Sequence, residues 1–304
     1  MPRIIPTLLF CCLELLAFSS AAFAYDRVTV LVGNTSSAGD EFIREFRSQL
    51  ADHGINQVSI RNISDTALAS TDNGVLVAVG VQALQHAANQ KGSQPVLGVL
   101  IPQPAYGKIR ASAVNSNISA IFLDQPPSRQ MRLLHQLLPQ AESVGILLGP
   151  TSTRGSEILT KAAQDSGLKA VVATIQHEDD LTSSLKPLLE TSSALLAVPD
   201  PLVHQRGTAQ TLLLTSYRYQ KPVIGYSQAY VTAGALAAVY SSPENIARQA
   251  AEITRNYPDR QSTLPSPQPP RYFSVGINRQ VARSLNIDIQ DSESLTKDLI
   301  KEEQ

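Results

Sequence analysis

Residues 144–198 read VGILLGPTSTRGSEILTKAAQDSGLKAVVATIQHEDDLTSSLKPLLETSSALLAV, and their rhythm decides the fold. Val144–Leu148 is a short, unbroken apolar run. The polar loop Gly149–Ser156 follows, then a helical pattern from Glu157 to Ser166. Leu168–Ile175 is a second apolar run, Asp180–Glu190 a second helical pattern, and Ala194–Val198 a third run. Short aliphatic runs separated by amphipathic, helix-length segments spell βαβ units and a parallel sheet. The runs are apolar throughout rather than alternating, as in strands that helices cover on both faces.

The same rhythm extends outward. Upstream, Arg27–Val32, Val58–Arg61, Val75–Val79 and Pro95–Ile101 read as strands. Gly33–Gly39 is a polar loop. Asp40 can cap a helix with an apolar face of Phe42, Ile43, Phe46 and Leu50, which His53-Gly54 would stop. Val81–Asn89 and Ser128–Leu138 read as helices. Downstream come helix His204–Tyr219, strand Pro222–Gly225, strand Leu236–Tyr240, helix Pro243–Asn256 and strand Phe273–Ile277. Two sheets suit this many strands better than one. The expected architecture is α/β, with two Rossmann-like lobes whose parallel sheets are joined by three crossover segments. Residues 25–119 plus 228–266 would form the first lobe, and 120–227 plus 267–290 the second. The crossings would fall near Ser119, near Ser227 and within 258–270. Five prolines lie between Tyr257 and Arg271, so that stretch is either an extended crossing or a plain surface loop. The polar tail 291–304 is expected to fray.

Composition excludes several classes. The 304 residues carry 25 basic and 26 acidic side chains, and 43% are apolar. That is too apolar and too weakly charged for a disordered chain. A nucleic-acid partner is not expected, because there is no basic excess to meet phosphates. Residues 1–24 combine Arg3, an apolar stretch from Ile4 to Phe18, and Ala22-Phe23-Ala24. They read as a secretory signal peptide cleaved after Ala24. Glu14 interrupts the apolar stretch, and a retained membrane anchor is the alternative. Cys11 and Cys12 are the two cysteines of the chain; once the segment is removed, no thiol, disulfide or Cys-ligated metal is left.

Several passages together resemble the ABC-transporter substrate-binding proteins of the type 1 periplasmic family, in the group with tryptophan-binding members. They are Gln130–Leu147, containing Leu138-Pro139-Gln140-Ala141 and Val144-Gly145; Ala194–Asp200; Pro222–Ser227 with Ala233–Leu236; and Phe273–Asn278 with Ala282–Ile287. The resemblance implies a type 1 periplasmic binding protein, with lobes closing on a small molecule that an ABC permease then receives. It implies a periplasmic monomer and no enzymatic activity. Departures fall in the first lobe. Gly80-Val81-Gln82 stands where the family has a small hydroxyl residue, and Pro102-Gln103-Pro104 where it has an acidic turn.

Doubly wound sheets take ligands at the carboxyl ends of their strands. Five loops reach that position. The first offers Asn34, Ser36 and Ser37 beside a helix start, the second Val81 and Gln82, the third Gln103 and Tyr106. Asp200 ends a second-lobe strand, and Tyr226 with Ser227 follows the next. Asp200 either pairs with a ligand ammonium or caps the turn before Pro201. The hydroxyl loop likewise binds ligand or does ordinary capping. Enzyme readings fail on spacing. Gly225-Tyr226-Ser227-Gln228-Ala229 looks like a nucleophile elbow, but all five histidines (53, 86, 135, 177 and 204) precede it, whereas an α/β-hydrolase needs its His afterwards. Gly149–Ser156 lacks the lysine of a P-loop. No His has a second His four residues on, so neither a metal nor another cofactor is expected. A ligand sensor or accessory subunit of a membrane receptor is the alternative to a transport component.

Overall fold

A computed structural model of the chain describes residues 28–34, 36–65, 74–92, 94–257 and 263–303. The expected signal segment and its cleavage point lie outside the described residues. In chain order the elements begin β1 (Val28–Val32), α1 (Ser37–Ala51), β2 (Val58–Asn62), β3 (Leu76–Val79), α2 (Gly80–Ala88), β4 (Val96–Ile101), α3 (Gln103–Ser112) and β5 (Ile118–Phe122). Next come α4 (Pro127–Leu137), β6 (Ser143–Leu148), α5 (Ser156–Asp165), β7 (Lys169–Thr174), α6 (Asp180–Thr191), β8 (Ala194–Leu196), α7 (Arg206–Arg218) and β9 (Val223–Gly225). The chain closes with α8 (Gln228–Ala233), β10 (Ala237–Tyr240), α9 (Pro243–Arg255), β11 (Ser274–Ile277), α10 (Arg279–Ser284) and α11 (Ser292–Glu302).

The strands form two sheets. The first runs β2-β1-β3-β4-β5, all parallel. The second runs β11-β10-β9-β8-β6-β7, parallel except for β11. Both faces of each sheet are covered, as the apolar strands require. On one face of the first sheet Val28, Val30 and Val77 meet Phe42, Phe46 and Leu50 of α1 and Ile246, Ala247 and Ala250 of α9. On the other, Leu31 and Ala78 meet Leu84 of α2 and Tyr106 of α3. Each fully buried Val, Leu, Ile or Phe among them contributes roughly 1.5–3 kcal/mol.

Three expectations are corrected. First, strand 236–240 belongs to the second sheet: Ala237 and Ala238 register with Ile224 and Gly225 of β9. Ser227 caps α8 by accepting from the Tyr230 amide at 3.2 Å. Gly234, at φ +127°, then turns the chain back beside β9. The second crossing is therefore Ser241–Ser242, not Ser227. Second, Ile118–Phe122 completes the first sheet by pairing with β4, so the first crossing follows Phe122 rather than Ser119. Third, the tail does not fray. Asp291 caps α11 through the amides of Glu293 and Ser294, and Leu295 and Leu299 sink into the core of the second sheet. Most charges of the tail lie on the outer face of an ordered helix, and Glu303 at its end turns in to Arg129.

The described part of the proline-rich stretch, residues 263–270, is an extended crossing. Gln268 bridges to Ile121 in parallel register; its amide donates to the Ala120 carbonyl, and its carbonyl accepts from Phe122, both at 3.0 Å. It lies along the outer edge of β5. Among the described residues no helix is long and apolar enough to cross a membrane.

Candidate functional site

A hollow of about 300 Å³ opens at the carboxyl ends of the first-sheet strands. In the order β2-β1-β3 the chain reverses direction of growth between β1 and β3, and a crevice forms at such a reversal. Val32, Gly33 and Asn34 line it from β1, Val79 and Gly80 from β3, Leu100 from β4 and Leu123 from beyond β5. Ser36, Ala38 and Gly39 contribute the start of α1, and Ser241 and Pro243 the second crossing. Among the described residues none that lines it is ionisable, and the wall offers amide and hydroxyl groups beside aliphatic surface.

Sequence reasoning placed the start of α1 at Asp40. Ser36 is the cap instead, its Oγ accepting from the Gly39 amide at 3.3 Å. The structure brings Asn34 and Ser36 to the hollow. Gln82 is not on its wall but braces it: its Oε1 accepts from the backbone amide of Asn34 at 3.4 Å. Ser37 and Val81 are exposed on the first turns of α1 and α2. Gln103 is exposed at the start of α3. Tyr106 is turned inward, 7% exposed, and its hydroxyl donates to the Ile118 carbonyl at 3.0 Å; its helical position, not a loop, buries it.

Asp200 is not available to a ligand. It is 4% exposed, and six donors fill its carboxylate. Oδ2 accepts from the amide and hydroxyl of Thr151 and of Ser152, at 2.7–3.1 Å. Oδ1 accepts from the amides of Leu202 and Val203. Burial raises its pKa, but these hydrogen bonds outweigh burial and hold it below the ordinary carboxylate range. Asp200 thus stitches the loop after β6 to the loop after β8, at the second sheet's own reversal point. Gly149 makes room for it: any Cβ there would collide with the Asp200 carboxylate.

The second sheet instead presents an aromatic cluster at its strand ends. The rings of His204, Tyr226 and Tyr230 pack mutually, with centroids 5.1–5.4 Å apart. His204 Nδ1 shares a 2.8 Å hydrogen bond with the Tyr230 hydroxyl. Burial pushes the imidazole down to about 4, against the pull of Asp200, so it is neutral at physiological pH. Burial also raises the phenols of Tyr226 and Tyr230. Tyr226 is half-buried, and Ser227 serves as the α8 cap.

Two residues escaped sequence reasoning. Leu100 lies at φ +56°, a region that disfavours bulky side chains. It sits where the β4–β5 register shifts, and such bulges re-aim side chains beside sites. Nothing in the sequence marks it. Asp124 follows β5, and its Oδ2 accepts from the Gln103 amide at 2.6 Å; burial raises its pKa. It is a carboxylate at a first-sheet strand end, missed because the crossing was set too early. Among the described residues no group of three or more His, Cys, Asp or Glu side chains could hold a metal.

Comparison with known proteins gives one family. Residues 56–297 match the family described as ABC transporter substrate binding protein. No curated protein sequence matches the chain significantly. Solved structures share the fold. A ligand-free, open substrate-binding protein with adhesive properties from Clostridium difficile is 17% identical; the match covers 88% of this chain and 97% of that one, with a TM-score of 0.70. An ABC domain from Streptococcus pneumoniae solved with L-Trp is 18% identical, covering 89% and 98%, with a TM-score of 0.57. A periplasmic ribose ABC transporter protein from Conexibacter woesei is 13% identical, covering 89% and 96%, with a TM-score of 0.50.

Proposed function

Because the chain belongs to the ABC transporter substrate-binding protein family, we propose that it captures a small solute outside the inner membrane and delivers it to an ABC permease for uptake. The observation that carries this reading is the uncharged hollow at the first sheet's reversal point, where Asn34, Ser36 and Ser241 stand beside Leu100 and Leu123. The three hydrogen-bonding groups fix a polar edge of the solute, and the two leucines cover its apolar body. Tyr226, at the strand ends of the other sheet, supplies an aromatic surface from the opposite lobe. Contacts to both lobes favour the closed arrangement, and that population shift is the signal a permease reads. In this reading no bond is made or broken, no cofactor takes part and a monomer suffices. Export through residues 1–24 brings the chain to the periplasm.

The test is a thermal-shift panel of small metabolites on the purified protein. A solute at 100 times its Kd adds about 2.7 kcal/mol of stability. Asn34→Ala and Leu123→Ala should each weaken the response to the same compound without unfolding the protein. Turnover of a panel compound, or stabilisation by none, would reject solute capture.

A further inference from the structure

Arg129 and Glu303 each occupy the unfavourable end of a helix. Arg129 is the third residue of α4, and Glu303 follows the last turn of α11. A cation at a helix N-terminus and an anion at a C-terminus both oppose the helix dipole. Neither placement serves its own helix. Together they form a bidentate pair: Arg129 Nε and Nη2 each lie 2.6 Å from a Glu303 oxygen. Arg129 is 4% exposed, and its guanidinium lies 3.9 Å over the ring of Phe273. Arg132 adds a 2.8 Å bond to the same carboxylate.

The pair does not end there. Arg129 Nη1 donates to Gln125 Oε1 at 2.6 Å and to the Pro270 carbonyl at 3.0 Å. Gln125 Nε2 donates to Ser241 Oγ at 2.9 Å, and Ser241 Oγ donates to the Tyr272 carbonyl at 2.6 Å. Gln125 lies on the first crossing, Ser241 on the second, Pro270 and Tyr272 on the third. One buried polar chain therefore joins all three connections between the sheets, and Ser241 also lines the hollow.

We infer that Arg129 is the positioning residue of the hinge: anchored by Glu303, it ties the three crossings together and, through Gln125, sets the Ser241 hydroxyl on the wall of the cleft. Helix α11 thereby governs how the lobes are set relative to one another. A largely buried hydrogen-bonded network of this kind rigidifies what it joins, and removing one of its members loosens it. The geometry stands apart from solute capture; only its consequence for affinity rests on that reading.

The experiment is amide hydrogen exchange, read by mass spectrometry, on the purified full chain with no added ligand. Charge-assisted bonds of this type control local opening strongly enough that Glu303→Gln should speed exchange roughly tenfold in residues 121–127, 239–243 and 268–273 alike. Glu303→Asp should give a smaller change in the same three segments, and β3 and β4 should stay protected. Gln125→Leu leaves the ion pair and the Pro270 bond intact and should release residues 121–127 and 239–243 but not 268–273. Faster exchange confined to 292–303 would mean that Glu303 only holds down α11, and would overturn the proposal. So would unchanged exchange at 239–243 in Gln125→Leu, a variant that stays informative even if Glu303→Gln fails to fold. No outcome depends on finding a solute, so failure here and failure of the transport reading are separate results.

Discussion

At the scale of single residues, the contrast between Asp200 and His204 governs what can be measured. Asp200→Ala would strand the buried amides of Ser152 and Val203, and should lower stability by on the order of 3 kcal/mol in chemical denaturation. Binding of a panel solute should survive in Asp200→Asn, because the carboxylate faces only its own lobe; a large loss of affinity would restore it to the binding site. His204 gives a pH signature. Its folded pKa, about 4, lies below the unfolded value near 6.5. The unfolded chain binds the proton first, so stability is full above that value and falls as pH drops from about 6.5 toward 4. Unfolding free energies at pH 7 and 5.5 should differ by roughly 1 kcal/mol in the parent and less in His204→Gln. The cap role of Asp200 was open in the sequence as one of two readings, since a turn before proline and a ligand contact ask for the same residue type. What decides between them is the Thr151-Ser152 loop, which is 49 positions away from Asp200 and invisible to local pattern.

Elements were legible where their period was strong and their partners were near. The helices 128–138, 157–166 and 243–256 and most strands of the second sheet fall within a residue or two of expectation. The misses share a cause. β5 (Ile118–Phe122) is a strand whose role depends on pairing with β4, and α3 begins at Pro102-Gln103-Pro104, which reads locally as a turn. α11 was lost to its charge: Ser292–Glu302 shows only the Leu295–Leu299 stripe against many polar neighbours. Leu295→Ala and Leu299→Ala should each cost about 2–5 kcal/mol, measurable by denaturant titration, whereas a frayed tail would tolerate both. Acid should also release this helix. Burial pushes the Glu303 carboxyl up, but Arg129 and Arg132 outweigh it and hold it below its usual range. That contribution is present above the ordinary carboxylate pKa and disappears as pH falls beneath it. Limited proteolysis at decreasing pH should therefore cut α11 before either sheet.

At the scale of the whole molecule, two covered, mostly parallel sheets were readable from residues 144–198 and their echoes, because both-face burial leaves an unmistakable aliphatic run, whereas the antiparallel setting of β11 was not. Which strand joins which sheet was not readable, since β9–α8–β10 and a lobe crossing look alike in sequence until the register is seen. If residues 1–24 act as a cleaved signal, the mature chain should begin at Tyr25, which intact-mass measurement of secreted material checks; retention of residues 1–24 on membranes would favour the anchor. The docking of α9 on α1 carries a further consequence, for biosynthesis. Phe42, Phe46 and Leu50 emerge from the ribosome early, yet Ile246, Ala247 and Ala250, which cover them, come some two hundred residues later. At roughly 5–20 residues per second the delay is about 10–40 s. Throughout that interval the nascent chain has an uncovered greasy helix and no finished lobe, a natural client for chaperones that shield apolar surface until its partner is made.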